Sequence, residues 1–135
     1  EKALNIAKKN SITNKTKVIF ILSDLFQNLG NYKFDLIISN PPYIANDVCK
    51  KLQEEVMYEP LLALDGGCNG LEIIYRIVDD APKYINNKGH LLMEIGDDQG
   101  SALNNILSKN FSDIKIIKDL QNRNRYVYSK LKEQI

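Results

Sequence analysis

Two short polar segments stand directly behind apolar, β-branched runs, and both carry acceptors suited to holding a ligand. Ser23-Asp24-Leu25-Phe26 follows the run Lys17 to Leu22, and Asn40-Pro41-Pro42-Tyr43 follows Phe34 to Ser39. In open α/β sheets, ligands bind just beyond the carboxyl ends of the strands. A carboxylate at Asp24 could there accept hydrogen bonds from a nucleotide's exocyclic amine. It could equally close an Asx turn or cap a helix, since Asp is a favoured cap. Asn40 offers a side-chain amide at the corresponding place. Pro41 denies Asn40 the α region and removes a ladder donor, so the strand has to stop there. The alternative reading of Asn40-Pro41 is simply the start of a turn.

The elements that must position these residues can be read from periodicity. Leu36-Ile37-Ile38 shows no alternation, which predicts a strand buried on both faces in the middle of a parallel sheet. Lys17 to Leu22 predicts a second strand. Glu1 to about Lys9 puts Ala3, Leu4, Ile6 and Ala7 on a helical stripe. Ile44 to Leu64 is a long connection, within which Asp47 to Val56 could form a short capped helix; such loops tend to be functional or mobile. Gly66, Gly67 and Gly70 permit tight positive-φ turns ahead of a helix from about Leu71 to Ile85. Its buried face is Ile73, Ile74, Ile77, Val78 and Ala81. Asn86 to Gly89 reads as a turn and His90 to Gly96 as a third buried strand. Asp97 to Lys109 reads as a helix with Leu103, Ile106 and Leu107 inward. Asp113 to Lys118 and Arg125 to Leu131, the latter an edge strand, predict an antiparallel hairpin.

Composition narrows the function classes. The 135 residues suffice for one domain but are short for a complete two-layer nucleotide-binding enzyme. The hydrophobic share of 44% and charged share of 26% are those of an ordinary soluble domain. A net charge of +1 leaves no electrostatic footprint for nucleic acid, and Lys8-Lys9 and Lys50-Lys51 read as solvated surface. Cys49 and Cys68 have neither CxxC spacing nor a nearby histidine, and His90 merely precedes an apolar strand. No metal site is therefore expected, and reduced cytoplasmic thiols are the default. No apolar run approaches a membrane span and no signal peptide is visible, so neither membrane nor export is expected. Glu1 falls inside the helical stripe, and the chain reads as a fragment.

Asn40-Pro41-Pro42-Tyr43 resembles motif IV of the S-adenosylmethionine-dependent methyltransferases that methylate exocyclic or amide nitrogens. A planar NH2 group is a poor nucleophile because its lone pair is conjugated. The resemblance implies that the Asn40 side-chain oxygen and the Pro41 carbonyl accept its two hydrogens, fixing its orientation and concentrating electron density on nitrogen. Tyr43 then lends a flat face. This motif is shared with adenine-N6 DNA methyltransferases and several RNA enzymes. A narrower series runs through Glu59-Pro60, Ala63-Leu64-Asp65-Gly66-Gly67-Cys68-Asn69-Gly70-Leu71, Glu94-Ile95-Gly96-Asp97-Asp98-Gln99, and Asp119 with Arg125. With that series the chain resembles the HemK-like release-factor glutamine methyltransferases over essentially its whole length.

The resemblance implies an α/β fold, a partial Rossmann-like class I methyltransferase sheet ending in an antiparallel hairpin. It implies methyl transfer from S-adenosylmethionine to the glutamine amide of the Gly-Gly-Gln motif in peptide-chain release factors. Asn40 and Pro41 would be catalytic, Pro42 and Tyr43 would shape the substrate slot, and Glu59 would touch substrate or brace the loop. Asp24, Leu25 and Asn40 would lie by the cofactor, although the family often has a bulkier aromatic where Leu25 stands. Glu94 and Gln99 are given structural roles, and Arg125 a pairing with Asp119. The family's Gly-rich loop, its first two strands and its N-terminal helical domain find no match here. Residues 1–135 are therefore expected to be the C-terminal portion of one catalytic domain, inactive or weakly active and binding cofactor weakly or not at all. The missing strands would lie between Lys17–Leu22 and Phe34–Ser39, leaving the latter with a free edge. The chain is expected either to bring those two strands together or to associate edge to edge. One alternative is a nucleic-acid amino-group methyltransferase that flips its target base, which would need a basic groove. Another is a non-catalytic binding module of the same fold, which the missing glycine loop suits and the intact Asn-Pro-Pro-Tyr does not.

Overall fold

The computed structural model describes residues 1–50 and 59–133, so the Lys51–Val56 part of the expected short helix lies outside the described residues. The chain divides into two compact units, Glu1–Tyr32 and Lys33–Ile135. In the first unit, helix α1 (Lys2–Thr13) runs longer than the apolar stripe requires, and none of its residues is buried. A unit of this size has too little interior to shelter one. The Lys17–Leu22 run has no regular secondary structure and joins no strand ladder among the described residues, which corrects the strand expected there. A strand exists only where a neighbour takes up its N–H and C=O groups, and β-branched composition cannot supply that neighbour.

The second unit is built on a four-stranded sheet of β1 (Phe34–Ser39), β2 (Ile85–Glu94), β3 (Phe111–Lys118) and β4 (Asn124–Leu131), in the order β1-β2-β4-β3. β1 runs parallel to β2, with Ile37 opposite Leu91 and Ser39 opposite Met93. The other two pairings are antiparallel, and β3–β4 is the expected hairpin. Two sequence expectations are exchanged here. β1 lies at an edge and is not doubly buried: Leu36 and Ile38 keep 46% and 67% of their surface exposed. β4, expected at the edge, is instead a central strand. Its alternation reports burial on one face only, because Val127, Ser129 and Leu131 point into the core while Tyr126, Tyr128 and Lys130 do not. The expected joining of the Lys17–Leu22 and Phe34–Ser39 strands is not what the sheet contains.

The short helix α2 (Asn46–Cys49) follows β1, and the core lies on one face of the sheet. Helix α3 (Glu72–Tyr84) packs on β2 through Ile74, Ile77, Val78 and Ala81, four of the five residues its periodicity marked; Ile73 is half-buried. Helix α4 (Gly100–Leu107) covers β3 and β4 with Leu103 and Leu107. Leu91, Met93, Phe111 and Val127 meet them from the sheet. The Asn86–Gly89 turn is present as a bulge inside β2, where the register jumps between Phe34–Ile85 and Leu36–His90. Lys88 takes φ 64° there, and Asn86 Nδ2 donates to Asp35 Oδ1 at 2.8 Å, fastening the bulge to β1. No helix among the described residues is long and apolar enough to cross a membrane.

Candidate active site

Asn40 stands where the sequence placed it, immediately after the last residue of β1. Its side-chain amide is exposed and has no hydrogen-bond partner among the described residues. With Pro41, Tyr43, Ile44, Glu59, Ala63 and Leu64 it lines a cavity of about 230 Å³. Four of the expected site residues are thus brought to one place: Asn40, Pro41, Tyr43 and Glu59. Two roomier and more open hollows lie elsewhere, one beside α1 and one at the tip of the hairpin. Each also holds an amide and an aromatic side chain, Asn5 with Phe20 and Gln121 with Tyr126, but neither contains the Asn40-Pro41 pair that ends β1.

The loop 40–45 is held from beneath by the glycine segment. Ile44 and Asp65 form a parallel bridge, in which the Ile44 N–H donates to the Leu64 carbonyl at 3.1 Å and the Gly66 N–H to the Ile44 carbonyl at 2.8 Å. The Asn46 N–H donates to the Gly67 carbonyl at 3.0 Å. Gly66 has to be glycine because a Cβ there would meet the Pro42 and Gly70 carbonyl oxygens at 2.7 Å. Gly70 combines φ +69° with close approach to the Tyr43 carbonyl, a second position with no room for a side chain. The Ala-Leu-Asp-Gly-Gly segment thus works as the bed of the Asn-Pro-Pro-Tyr loop, and Ala63 and Leu64 also face the cavity.

Gln99 fastens that bed to the loop. It is 6% exposed, and its Nε2 donates to the Tyr43 carbonyl at 3.0 Å and the Gly70 carbonyl at 3.1 Å. Its Oε1 accepts the Gly96 N–H at 2.9 Å. Both donors and an acceptor are used, and a flipped amide would set oxygen against two carbonyls. The structural role expected for Gln99 is therefore specific: it pins the backbone of Tyr43.

The other end of Tyr43 is held too. Its hydroxyl donates to Glu94 Oε1 at 2.8 Å and receives Arg125 Nη1 at 3.3 Å. Arg125 pairs with Asp119 as expected, Nη2 lying 3.3 Å from Oδ2. Asp119 Oδ1 also accepts the N–H groups of Gln121 and Arg123 at 2.9 and 3.0 Å. Burial first, then the hydrogen bond and charge of Glu94, raise the Tyr43 phenol above its ordinary pKa, while Arg125 pulls the other way. The Arg123 N–H, then those of Gln121 and the Arg125 guanidinium, hold the Asp119 carboxyl below the ordinary range against the opposing effect of burial. Cys49 is buried behind the loop, and burial pushes its thiol up, which makes it a packing residue and no nucleophile.

Asp24 and Leu25 belong to the first unit, in a turn that follows the Lys17–Leu22 run. The Gln27 N–H donates to the Asp24 carbonyl at 3.2 Å, and Gln27 Nε2 donates to Asp24 Oδ2 at 3.3 Å. Leu25 is held at φ 49°, a left-handed conformation that L-residues adopt at a cost of about 1–2 kcal/mol. Sequence reasoning missed Ile44, Ala63 and Leu64 as cavity walls and the link from Glu94 and Arg125 to Tyr43. A polar residue ending an apolar strand was the available signal for Glu94.

Comparison with known proteins follows the same lines. A family model described as the methyltransferase small domain matches residues 1–67. The release factor glutamine methyltransferase of Thermodesulfovibrio yellowstonii is 42% identical over 123 residues, 89% of this chain and 44% of that protein. The ribosomal protein uL3 glutamine methyltransferase of Francisella tularensis is 42% identical over 92 residues, 68% of this chain and 29% of that protein. A methyltransferase crystal structure from Pyrococcus furiosus superposes with a TM-score of 0.66 at 22% identity, covering 97% of this chain and 58% of that one. The chain spans less than half the length of the release factor methyltransferase quoted. It is a relative of release factor glutamine methyltransferases over most of its own length, and its sheet is a partial class I methyltransferase fold.

Proposed function

We propose that residues 1–135 are the C-terminal portion of the catalytic domain of an S-adenosylmethionine-dependent protein-glutamine N-methyltransferase. The acceptor is the side-chain amide of the Gly-Gly-Gln glutamine in a peptide-chain release factor, and the enzyme acts in the cytoplasm. One observation carries the reading: an Asn40 amide without a hydrogen-bond partner among the described residues and Tyr43 share a small cavity whose bed is fixed by the two hydrogen bonds that Gln99 donates. The cavity falls below the roughly 300–1,000 Å³ of drug-sized sites, which suits the flat end of one side chain.

In this reading the Asn40 oxygen and the Pro41 carbonyl accept the two amide hydrogens of the glutamine. Pro42 and Tyr43 confine its plane, and Glu59 stands at the cavity wall on the substrate side. The surplus proton leaves to water, so the site needs no histidine. S-adenosylmethionine supplies an electrophilic methyl group when bound. The residues of this chain proposed to hold it are Asp24 and Leu25 in the first unit, an acidic acceptor in a constrained turn, and Asn40 in the second, an amide at a strand end; each by itself offers polar groups of the kind that a nucleoside or an amino-acid moiety takes. With the Gly-rich loop unmatched in residues 1–135, this stretch alone binds the cofactor weakly. The free edge of β1, with Leu36 and Ile38 exposed, supports self-association of the isolated chain edge to edge.

The uL3-directed relative favours a second reading within the same chemistry, a ribosomal-protein glutamine as acceptor. The test uses the complete natural polypeptide carrying this chain, with peptides of a release factor Gly-Gly-Gln loop and of uL3 read by mass spectrometry. Methylation of the first, lost in Asn40→Ala with cofactor affinity retained, is the expected result. Methylation of uL3 alone replaces the substrate, and undiminished turnover by Asn40→Ala overturns the role of the site.

A further inference from the structure

We infer that Glu94 and Arg125 are positioning residues for methyl transfer, acting through the Tyr43 hydroxyl to fix the ring plane that faces the acceptor amide. The inference rests on the function proposed above and extends it to two residues that touch no substrate. Glu94 ends β2, Arg125 is the second residue of β4, and the Arg125 partner Asp119 lies in the hairpin loop between β3 and β4. Three separate pieces of chain thus converge on one phenol.

The geometry leaves the hydroxyl little freedom. Its single proton goes to Glu94 at 2.8 Å, and one of its lone pairs takes the Arg125 proton at 3.3 Å. Arg125 Nη1 lies 4.0 Å from the same Glu94 oxygen, and each of the two side chains is about three-quarters buried. Tyr43 therefore serves the cavity with its ring face and not with its O–H, which is turned away to the protein. With Gln99 holding the Tyr43 backbone, the side chain is fixed at both ends and the ring cannot sweep the space that a planar amide must occupy. A misplacement of about 1 Å at such a wall can cost on the order of a hundredfold in rate. The pull of Glu94 and Arg125 on the phenol in opposite directions provides a signature independent of turnover.

The experiment compares Glu94→Ala, Glu94→Gln, Tyr43→Phe and the Glu94→Ala/Tyr43→Phe double variant in the complete natural polypeptide. Glu94→Ala is expected to lower kcat about tenfold with the KM for S-adenosylmethionine unchanged. Glu94→Gln, whose oxygen still accepts the phenol, recovers most of the rate. Because Glu94 acts only through the hydroxyl, the double variant falls no lower than Tyr43→Phe. In protein carrying 13C at tyrosine Cζ, the Tyr43 titration moves down in Glu94→Ala and up in Arg125→Ala. Additive losses, a Gln variant as poor as Ala, or unmoved titrations overturn the inference. An intact Glu94→Ala rate beside a dead Asn40→Ala overturns it alone, whereas undiminished turnover in both removes the site reading as well.

Discussion

Replacing Gln99 by Ala tests how the Asn-Pro-Pro-Tyr loop is built. The substitution deletes three hydrogen bonds at once, to the carbonyls of Tyr43 and Gly70 and from the N–H of Gly96. A neutral hydrogen bond contributes about 0.5–1.5 kcal/mol net, and a buried group left without a partner costs about 1–3 kcal/mol. Only the Gly70 contact is fully buried; Tyr43 and Gly96 are half-buried and can recruit water, so their share stays near the low end. Two contacts at about 0.5–1 kcal/mol and one at about 1–2 kcal/mol sum to about 3 kcal/mol. The chain has no tryptophan, so the unfolding signal is far-UV circular dichroism in urea. At an m-value of about 1.5 kcal/mol/M the midpoint falls by about 2 M. A shift below about 0.5 M refutes the clamp, because it means that the three groups find equal partners without Gln99.

Three further outcomes follow from other residues. Ser129 Oγ is buried without a hydrogen-bond partner among the described residues, so Ser129→Ala raises stability by up to about 1 kcal/mol; a loss of that size in the same urea assay contradicts it. The depressed Asp119 carboxyl contributes stability that is complete above the ordinary carboxylate pKa of about 3.9 and is lost as pH falls through its lower folded value. Amide exchange at Gln121 and Arg123 therefore accelerates, beyond its intrinsic pH dependence, only on acidification below about pH 4, and Asp119→Asn removes that step. On the open edge of β1, Ile38→Lys lowers the apparent mass of the 135-residue chain in light scattering. A wild-type chain that is monomeric at every concentration contradicts the edge pairing.

What could be read without coordinates was local. The strand stop at Asn40-Pro41, the inward residues of α3 and α4 and the hairpin all follow from spacings of a few residues, and each is present. The order of the strands was not local, and the readings of β1 as central and β4 as an edge were exchanged. Leu36-Ile37-Ile38 is apolar enough for a doubly buried strand, yet burial is decided by a neighbour that no periodicity names. Lys17–Leu22 fails as a strand for the same reason.

The site divides along the same line. Asn40, Pro41, Tyr43 and Glu59 came from motifs, but the partners of the Tyr43 hydroxyl lie 51 and 82 residues away. Their meeting is a consequence of register. β2 and β4 run antiparallel with Glu94 opposite Tyr126, which sets the end of one strand beside the start of the other, where Arg125 Nη1 lies 4.0 Å from Glu94 Oε1. β1 runs parallel to β2 with Ser39 opposite Met93, which delivers the next residues of the loop to that same end of the sheet. A lone carboxylate closing an apolar strand and a lone guanidinium near the start of its antiparallel neighbour are therefore one signal in two places. Shifting either strand by a single residue would turn one of the pair to the opposite face and leave the tyrosine unheld. The setting of Tyr43 in the Asn-Pro-Pro-Tyr loop thus depends on a strand end and a hairpin that are not among the described residues lining the cavity.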